Sequence, residues 1–296
     1  MTARLEEPPR VVAPPTTRWA STSGKTPSVG AIARTTVLIV GAIIVVAPLV
    51  WAGLSSFKSQ AELAAQPPTL YPHDFTFDNY TTGLAAFDFP RYLLNSTIVT
   101  VAATLLTLLI NSMAAYALAK YNFRGRDLLF LITLSAIMIP LQVILLPIYQ
   151  VVSSLGMTNS LLGLIIPPAA TPTGVFLLRQ YMLTLPDETI EAARIDGAGE
   201  FRIFWQVVLP LCRPALAVLA IFSVIWRWND FLWPLIVAQD ESVQTLPVAI
   251  ARFAGQQAIP FSQILAVSVM SIIPVIIVFL ILQRHIISGL VKGAVK

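Results

Sequence analysis

The chain has 296 residues, 56% of them hydrophobic and 11% charged, with a mean hydropathy of +0.76. Soluble domains carry about 25% charged residues, so this composition excludes an ordinary soluble enzyme. The formal net charge is +4, but the basic residues are scattered between apolar runs, which argues against a nucleic-acid surface.

Five prolines (Pro8, Pro9, Pro14, Pro15, Pro27) and no apolar period mark residues 1–33 as a disordered tail. Its Gly24, Lys25 and Thr26 echo the end of a phosphate-binding loop. Trp19 stands where that loop needs glycine, so no nucleotide site is expected there. The remaining residues, 34–296, are expected to form one all-α membrane domain of six transmembrane helices.

The first span covers residues 35–54. It is longer than the apolar core of a signal peptide, about 7–15 residues, and follows a long tail, so a retained helix is expected. The second span, 92–119, contains no Asp, Glu, Lys or Arg. The charge-free stretch Leu128 to Leu178 is long enough for the third (128–150) and fourth (160–178) spans, with Ser153, Ser154, Gly156 and Asn159 turning between them. The fifth, 214–237, opens on Pro214, a residue suited to a first helical turn, and the sixth covers 261–283. With the tail inside, fifteen Lys and Arg fall on the cytoplasmic side against four (Lys58, Arg91, Arg227, Arg252) on or toward the other, so both termini are expected in the cytoplasm of a cell-membrane protein. The single cysteine, Cys212, and the separated His73 and His285 give no disulfide framework, metal site or cofactor site.

The most charged internal segment is the loop 186–213. Asp187 is placed to cap a helix, Glu188 and Glu191 suit its first turns, and Gly197 is expected to end it in the left-handed conformation. A second short helix is expected from Gly199 to Leu209, broken by Pro210. Ala192 and Ala193 are small enough to let another surface approach the backbone, although a generic surface helix pair fits the same pattern.

Glu191, Ala192, Ala193, then Asp196 and Gly197, followed by Val207, Leu209 and Pro210, resemble the signature loop of permease subunits in binding-protein-dependent ABC importers. Asp78, Asn79, Tyr80, Asn95 and Ser96 resemble that family's entry to its second span. Ala115, Tyr116, Ala117 and Phe123 to Arg126 resemble its inner loop, and Pro140, Pro147 and the run Trp228 to Leu232 match further. The ending, Gln283, Arg284, Gly289, Leu290 and Gly293 to Lys296, is similar to the maltose-type carbohydrate branch. The resemblance implies a type I importer permease fold and a non-enzymatic subunit without catalytic residues. It also implies a homologous second permease, two cytoplasmic ATP-binding subunits and an extracytoplasmic solute-binding protein as partners, and a sugar as substrate. On this reading, Glu191, Ala192, Ala193, Asp196, Gly197, Leu209 and Pro210 carry the ATPase coupling.

Polar groups within spans are the candidates for a substrate pathway. Gln142 and Tyr149, seven apart, lie within about 20° of each other on a helix, and interhelical hydrogen bonding is the alternative. On a straight fifth span, Trp226, Asn229, Asp230 and Trp233 share an arc of about 100°, a face of indoles and hydrogen-bonding groups that suits a sugar. An aromatic belt with Arg227 and Asp230 near the outer headgroups fits the same residues. A stand-alone secondary transporter or channel is the competing function. Asp230 is the sole acid within the apolar spans, and no second half repeats the first.

Overall fold

The computed structural model describes residues 29–294, so the tail over residues 1–28, with its Gly24 and Lys25, lies outside the described residues. Helix α1 (Val29–Ser55) begins inside the segment expected to be tail, because after Pro27 nothing bars helical backbone. Among the described residues, Val29 to Leu49 form a unit of their own, and the packing below concerns the second unit, from Val50 onward.

That unit is helical, without strands among the described residues. In chain order come α2 (Gln60–Leu63), α3 (Asp78–Ala86), α4 (Phe89–Lys120), α5 (Arg126–Ile137), α6 (Leu141–Ser154), α7 (Leu161–Ile165) and α8 (Pro172–Met182). Then follow α9 (Asp187–Ile195), α10 (Glu200–Ile203), α11 (Leu209–Leu211), α12 (Arg213–Trp228), α13 (Leu232–Val237), α14 (Leu246–Ala254) and α15 (Phe261–Ala294).

Three helical stretches are long and apolar enough to cross a membrane unbroken: Ile32–Ser55, Phe89–Lys120 and Phe261–Ile281. Three further candidate spans are bent pairs. Arg126–Ile137 and Leu141–Ser154 meet at 105°, Leu161–Ala169 and Pro172–Met182 at 44°, and Glu200–Leu211 and Arg213–Trp228 at 78°. Proline stands at or beside each break, as Pro140, Pro172 and Pro210, because it lacks the N–H that would bond the carbonyl four residues back.

Helix α4 carries a seam of polar side chains at helical spacing, Ser96, Thr100, Thr104, Thr107 and Asn111, all buried. Lipid offers such groups no partner, so they face protein. Asn95 donates to the Ser242 and Gln244 carbonyls at 2.9 and 3.0 Å, and the Leu246 N–H donates to Ser96 Oγ at 2.7 Å. Thr104 and Ser223 share a hydrogen bond of 3.0 Å, and Asn111 both donates to Thr171 Oγ1 (2.7 Å) and accepts from the Thr171 N–H (3.1 Å). Gly174 makes this last clamp possible, since a Cβ there would lie 2.2 Å from Asn111 Nδ2. Gly174→Val should therefore force α4 and α8 apart and lower the recovery of folded, monodisperse protein from detergent extracts by severalfold, measured by gel filtration beside Gly199→Ala, whose site is open.

The loops segregate to two ends. At one, Asn159 accepts from Gln239 and Asp240, and Gln60 accepts from Ser262. Asn159 has φ 52° and Gly156 φ 67°, the left-handed turn that their place between apolar runs requires. Beside them Asn79 donates to the Ser56 and Lys58 carbonyls, closing the loop after α1. At the other end Lys120 reaches the Leu185 carbonyl and Asp187.

Candidate functional site

The loop between α8 and α12 folds into two short helices with an inner and an outer face. Ile190, Ile203, Phe204, Val208 and Cys212 are buried against Ala115, Tyr116, Leu178 and Met182. Outward stand Glu191, Ala192, Ile195 and Phe201, with Ile195 86% and Phe201 73% exposed. Both are large apolar side chains left uncovered on a charged loop.

The turn between the helices is rigid. Gly197 has φ 79°, its N–H donates to the Arg194 carbonyl, and the Ala198 N–H donates to the Ala193 carbonyl, both at 3.0 Å. These two bonds are the Schellman arrangement that satisfies a helix's last carbonyls. Asp187 does not cap α9 as the sequence suggested. Pro186 occupies the cap position, and the Asp187 carboxylate instead accepts from Lys120 Nζ at 2.6 Å. Pro210 does not end the second helix either. The run continues to Leu211 through a π-turn over Phe204–Val208, which widens the backbone where Pro210 supplies no N–H.

Glu200 fastens the pair to the end of α4. Its carboxylate accepts from Arg194 Nε at 2.8 Å, Tyr121 Oη at 2.6 Å and Tyr116 Oη at 3.2 Å. The bond from Arg194, then that from Tyr121, holds the Glu200 carboxyl below its ordinary value. Desolvation, then the hydrogen bond to Glu200, pushes the Tyr121 hydroxyl up, so it remains a donor at neutral pH. A depressed carboxylate contributes its full anchoring above its ordinary pKa of 4.5 and loses it as pH falls below that value. A cleft of about 240 Å³ opens between the helices, lined by Ala193, Asp196, Ala198, Arg202, Gln206 and Val207. Ala193 is half-buried and faces this cleft, whereas Ala192 is fully outward; Leu209 packs inward beside Pro210.

The expected face of the fifth span is not assembled. Helix α12 ends at Trp228, and Asn229 to Phe231 break it before α13, so the arc computed for a straight helix does not exist. Trp226 is exposed beside Phe222, while Trp233 is 5% exposed and donates to the Gly163 carbonyl at 3.0 Å. Asp230 accepts from the Trp233 N–H and starts α13. Asn229 is exposed and donates to the Ile225 carbonyl. Arg227 is not an outer headgroup anchor: its Nη2 donates to Thr107 Oγ1 and to the Pro168 carbonyl, both at 2.6 Å. On α6, Gln142 is exposed, whereas Tyr149 packs half-buried against the cluster containing Val99 and Trp233.

Glu200, Tyr116 and Tyr121 were absent from the sequence candidates because their convergence needs the tertiary fold. The break after Trp228 had a local signal, adjacent Asn229 and Asp230, both turn formers. Among the described residues no cluster of His, Cys, Asp or Glu is placed to hold a metal ion.

Residues 111–292 match the family described as binding-protein-dependent transport system inner membrane component. The chain is 39% identical over 262 residues to the arabinooligosaccharides transport system permease protein of Halalkalibacterium halodurans, covering 86% of this chain and 92% of that one. It is 35% identical to the diacetylchitobiose uptake system permease protein of Streptomyces coelicolor (88% and 87% covered) and 34% identical to the sn-glycerol-3-phosphate transport system permease protein of Yersinia pestis (86% and 94% covered). Among solved structures, a chain of a bacterial ABC transporter involved in the import of the acidic polysaccharide alginate superposes with a TM-score of 0.77 at 28% identity, over 86% of this chain and 95% of that one.

Proposed function

Because the chain belongs to the binding-protein-dependent transport system inner membrane component family, we propose that it forms half of the translocation pathway of an ATP-driven carbohydrate importer. It is a multi-pass membrane permease subunit with the ABC importer permease fold. Hydrolysis takes place on two cytoplasmic ATP-binding partners, a homologous permease completes the pathway, and an extracytoplasmic solute-binding protein delivers the sugar. The bilayer is the remaining partner; both termini, the Lys120 end of the bundle and the loop 186–213 face the cytoplasm.

The observation that carries this reading is the helix pair α9–α10, exposed in Ile195 and Phe201 yet bolted through Glu200 to Tyr116 and Tyr121 at the end of α4. A surface that a moving partner grips must be rigid and must be tied to what it moves. Glu191, Ala192, Ala193, Asp196, Gly197, Leu209 and Pro210 form this joint, and displacement passes both into α4 and through Pro210 into α12.

Reconstituting the chain in vesicles alone, and then with the partner permease, ATPase and receptor, tests the reading. Solute accumulation should require the partners and ATP. Accumulation by the chain alone would instead identify a secondary transporter. Orientation is checked separately with an impermeant thiol reagent. Ser154→Cys and Gln256→Cys should label from outside in intact cells and Gly199→Cys should not, and the reverse pattern would invert the topology.

A further inference from the structure

We infer a binding site for one anionic phospholipid in the groove between α5 and α8, at the end of the bundle that holds Lys120. The site needs the chain in a bilayer and is indifferent to the solute carried, so it goes beyond the permease reading. The segment Phe123 to Arg126 takes no part in the coupling loop, yet it concentrates cations. Gly125, at φ 88°, turns the chain between α4 and α5, with Arg124 exposed before it and Arg126 opening α5 after it.

Arg126 and Phe130, four apart on α5, share a face, as do Phe176 and Arg179, three apart on α8. The two faces meet. The Phe130 and Phe176 rings stack with centroids 6.2 Å apart and 14° between their planes, and the Arg179 guanidinium lies 3.9 Å from the Phe130 centroid. A bond from Arg179 Nε to the Leu118 carbonyl, at 3.1 Å, fixes that guanidinium against the ring. The charges here do not balance. Asp127 is the acid of the cluster, and it accepts from Arg126 Nε at 3.0 Å. Among the described residues no ion pair reaches Arg124 or Arg179, and neither Arg126 nor Arg179 spends its terminal amino groups on the protein. Three guanidiniums against one carboxylate leave surplus positive charge, and the planar fork of arginine matches the oxygens of a phosphate.

The neighbours of the arginines decide what kind of phosphate fits. From Arg126 and Arg179 the same two helix faces run on toward the middle of the spans through Leu129, Ile137 and Phe176, all exposed apolar side chains. An acyl chain covers that surface, whereas a soluble phosphate leaves it bare. Phosphatidylcholine and phosphatidylethanolamine carry a cation of their own, which the surplus charge repels; phosphatidylglycerol does not. An acidic protein surface reaches the exposed Arg124 more readily than Arg179, which is half-buried between the helices.

The test is native mass spectrometry of the full-length chain, purified in detergent with and without its ATPase and titrated with dioleoylphosphatidylglycerol or dioleoylphosphatidylcholine. Gel filtration checks that each variant is folded. Phosphatidylglycerol should bind about fivefold over phosphatidylcholine, and Arg126→Gln and Arg179→Gln should each lower its binding about threefold. Arg91→Gln, at the opposite end of α4, should leave it unchanged. Arg126 bonds no other helix, so Arg126→Gln keeps the test decisive where Arg179→Gln fails to fold. Equal binding of the two lipids, or an equal loss in Arg91→Gln, would reduce the groove to ordinary lipid contact and overturn the site. Displacement by excess inorganic phosphate would make it a free-anion site instead, and expulsion of the lipid when the ATPase joins would give the cluster to that partner; either result overturns the lipid. None of these measurements involves transport, so a failed lipid site leaves the permease reading standing, and ATP-independent uptake leaves the lipid site standing.

Discussion

Gly197→Val should abolish ATP-driven uptake and co-purification of the ATPase while leaving the chain in the membrane at normal abundance. The glycine sits at φ 79°, where a β-branched residue costs at least about 1–2 kcal/mol. Nothing lies within 4 Å of a Cβ there, so the damage comes from the backbone and not from a clash. Relieving the strain means breaking the Ala198-to-Ala193 and Gly197-to-Arg194 bonds, which fix the angle between α9 and α10. Once that angle is lost, Arg194 and Glu200 separate and the pair is no longer fastened to Tyr121. Ala193→Arg tests the same surface by bulk, filling the cleft beside Arg202 with a second cation. Normal ATPase recovery from detergent extracts together with normal uptake for both variants would refute the coupling role.

The membrane class and the glycine-terminated loop were legible in the sequence because they depend on local information: charge-free runs, and a Gly197 that only left-handed backbone explains. The face of the fifth span was not. It assumed 100° per residue through Asn229 and Asp230, whereas the helix stops at Trp228. Asp187 shows a second limit. Its position before a helix fits a cap, but Lys120, 67 residues earlier, competes for the same carboxylate and wins by charge. Asn95 and Asn111 show a third, since their backbone and hydroxyl partners lie 60 or more residues away in sequence.

Arg227→Met should be the most destabilising single change in the membrane region, because the prolines of the fourth span leave carbonyls that only the fifth span satisfies. In an unbroken helix the Gly163 carbonyl would accept from residue 167 and the Pro168 carbonyl from residue 172, and both of those residues are proline. Trp233 Nε1 takes the first carbonyl and Arg227 Nη2 the second. Each orphaned carbonyl costs about 1–3 kcal/mol, and no water or lipid group replaces the lost donor in the bilayer core. Trp233→Phe removes one such bond and nearly conserves volume. Arg227→Met removes two, since Thr107 also loses its donor, and it strips the charge facing Asp230. The expected order of thermal stability for the detergent-purified assembly is therefore wild type, Trp233→Phe, then Arg227→Met. Thermal aggregation followed by gel filtration reads this order. An Arg227→Met assembly as stable as wild type, with sugar uptake altered, would instead make Arg227 a pathway residue and the bond to Pro168 incidental.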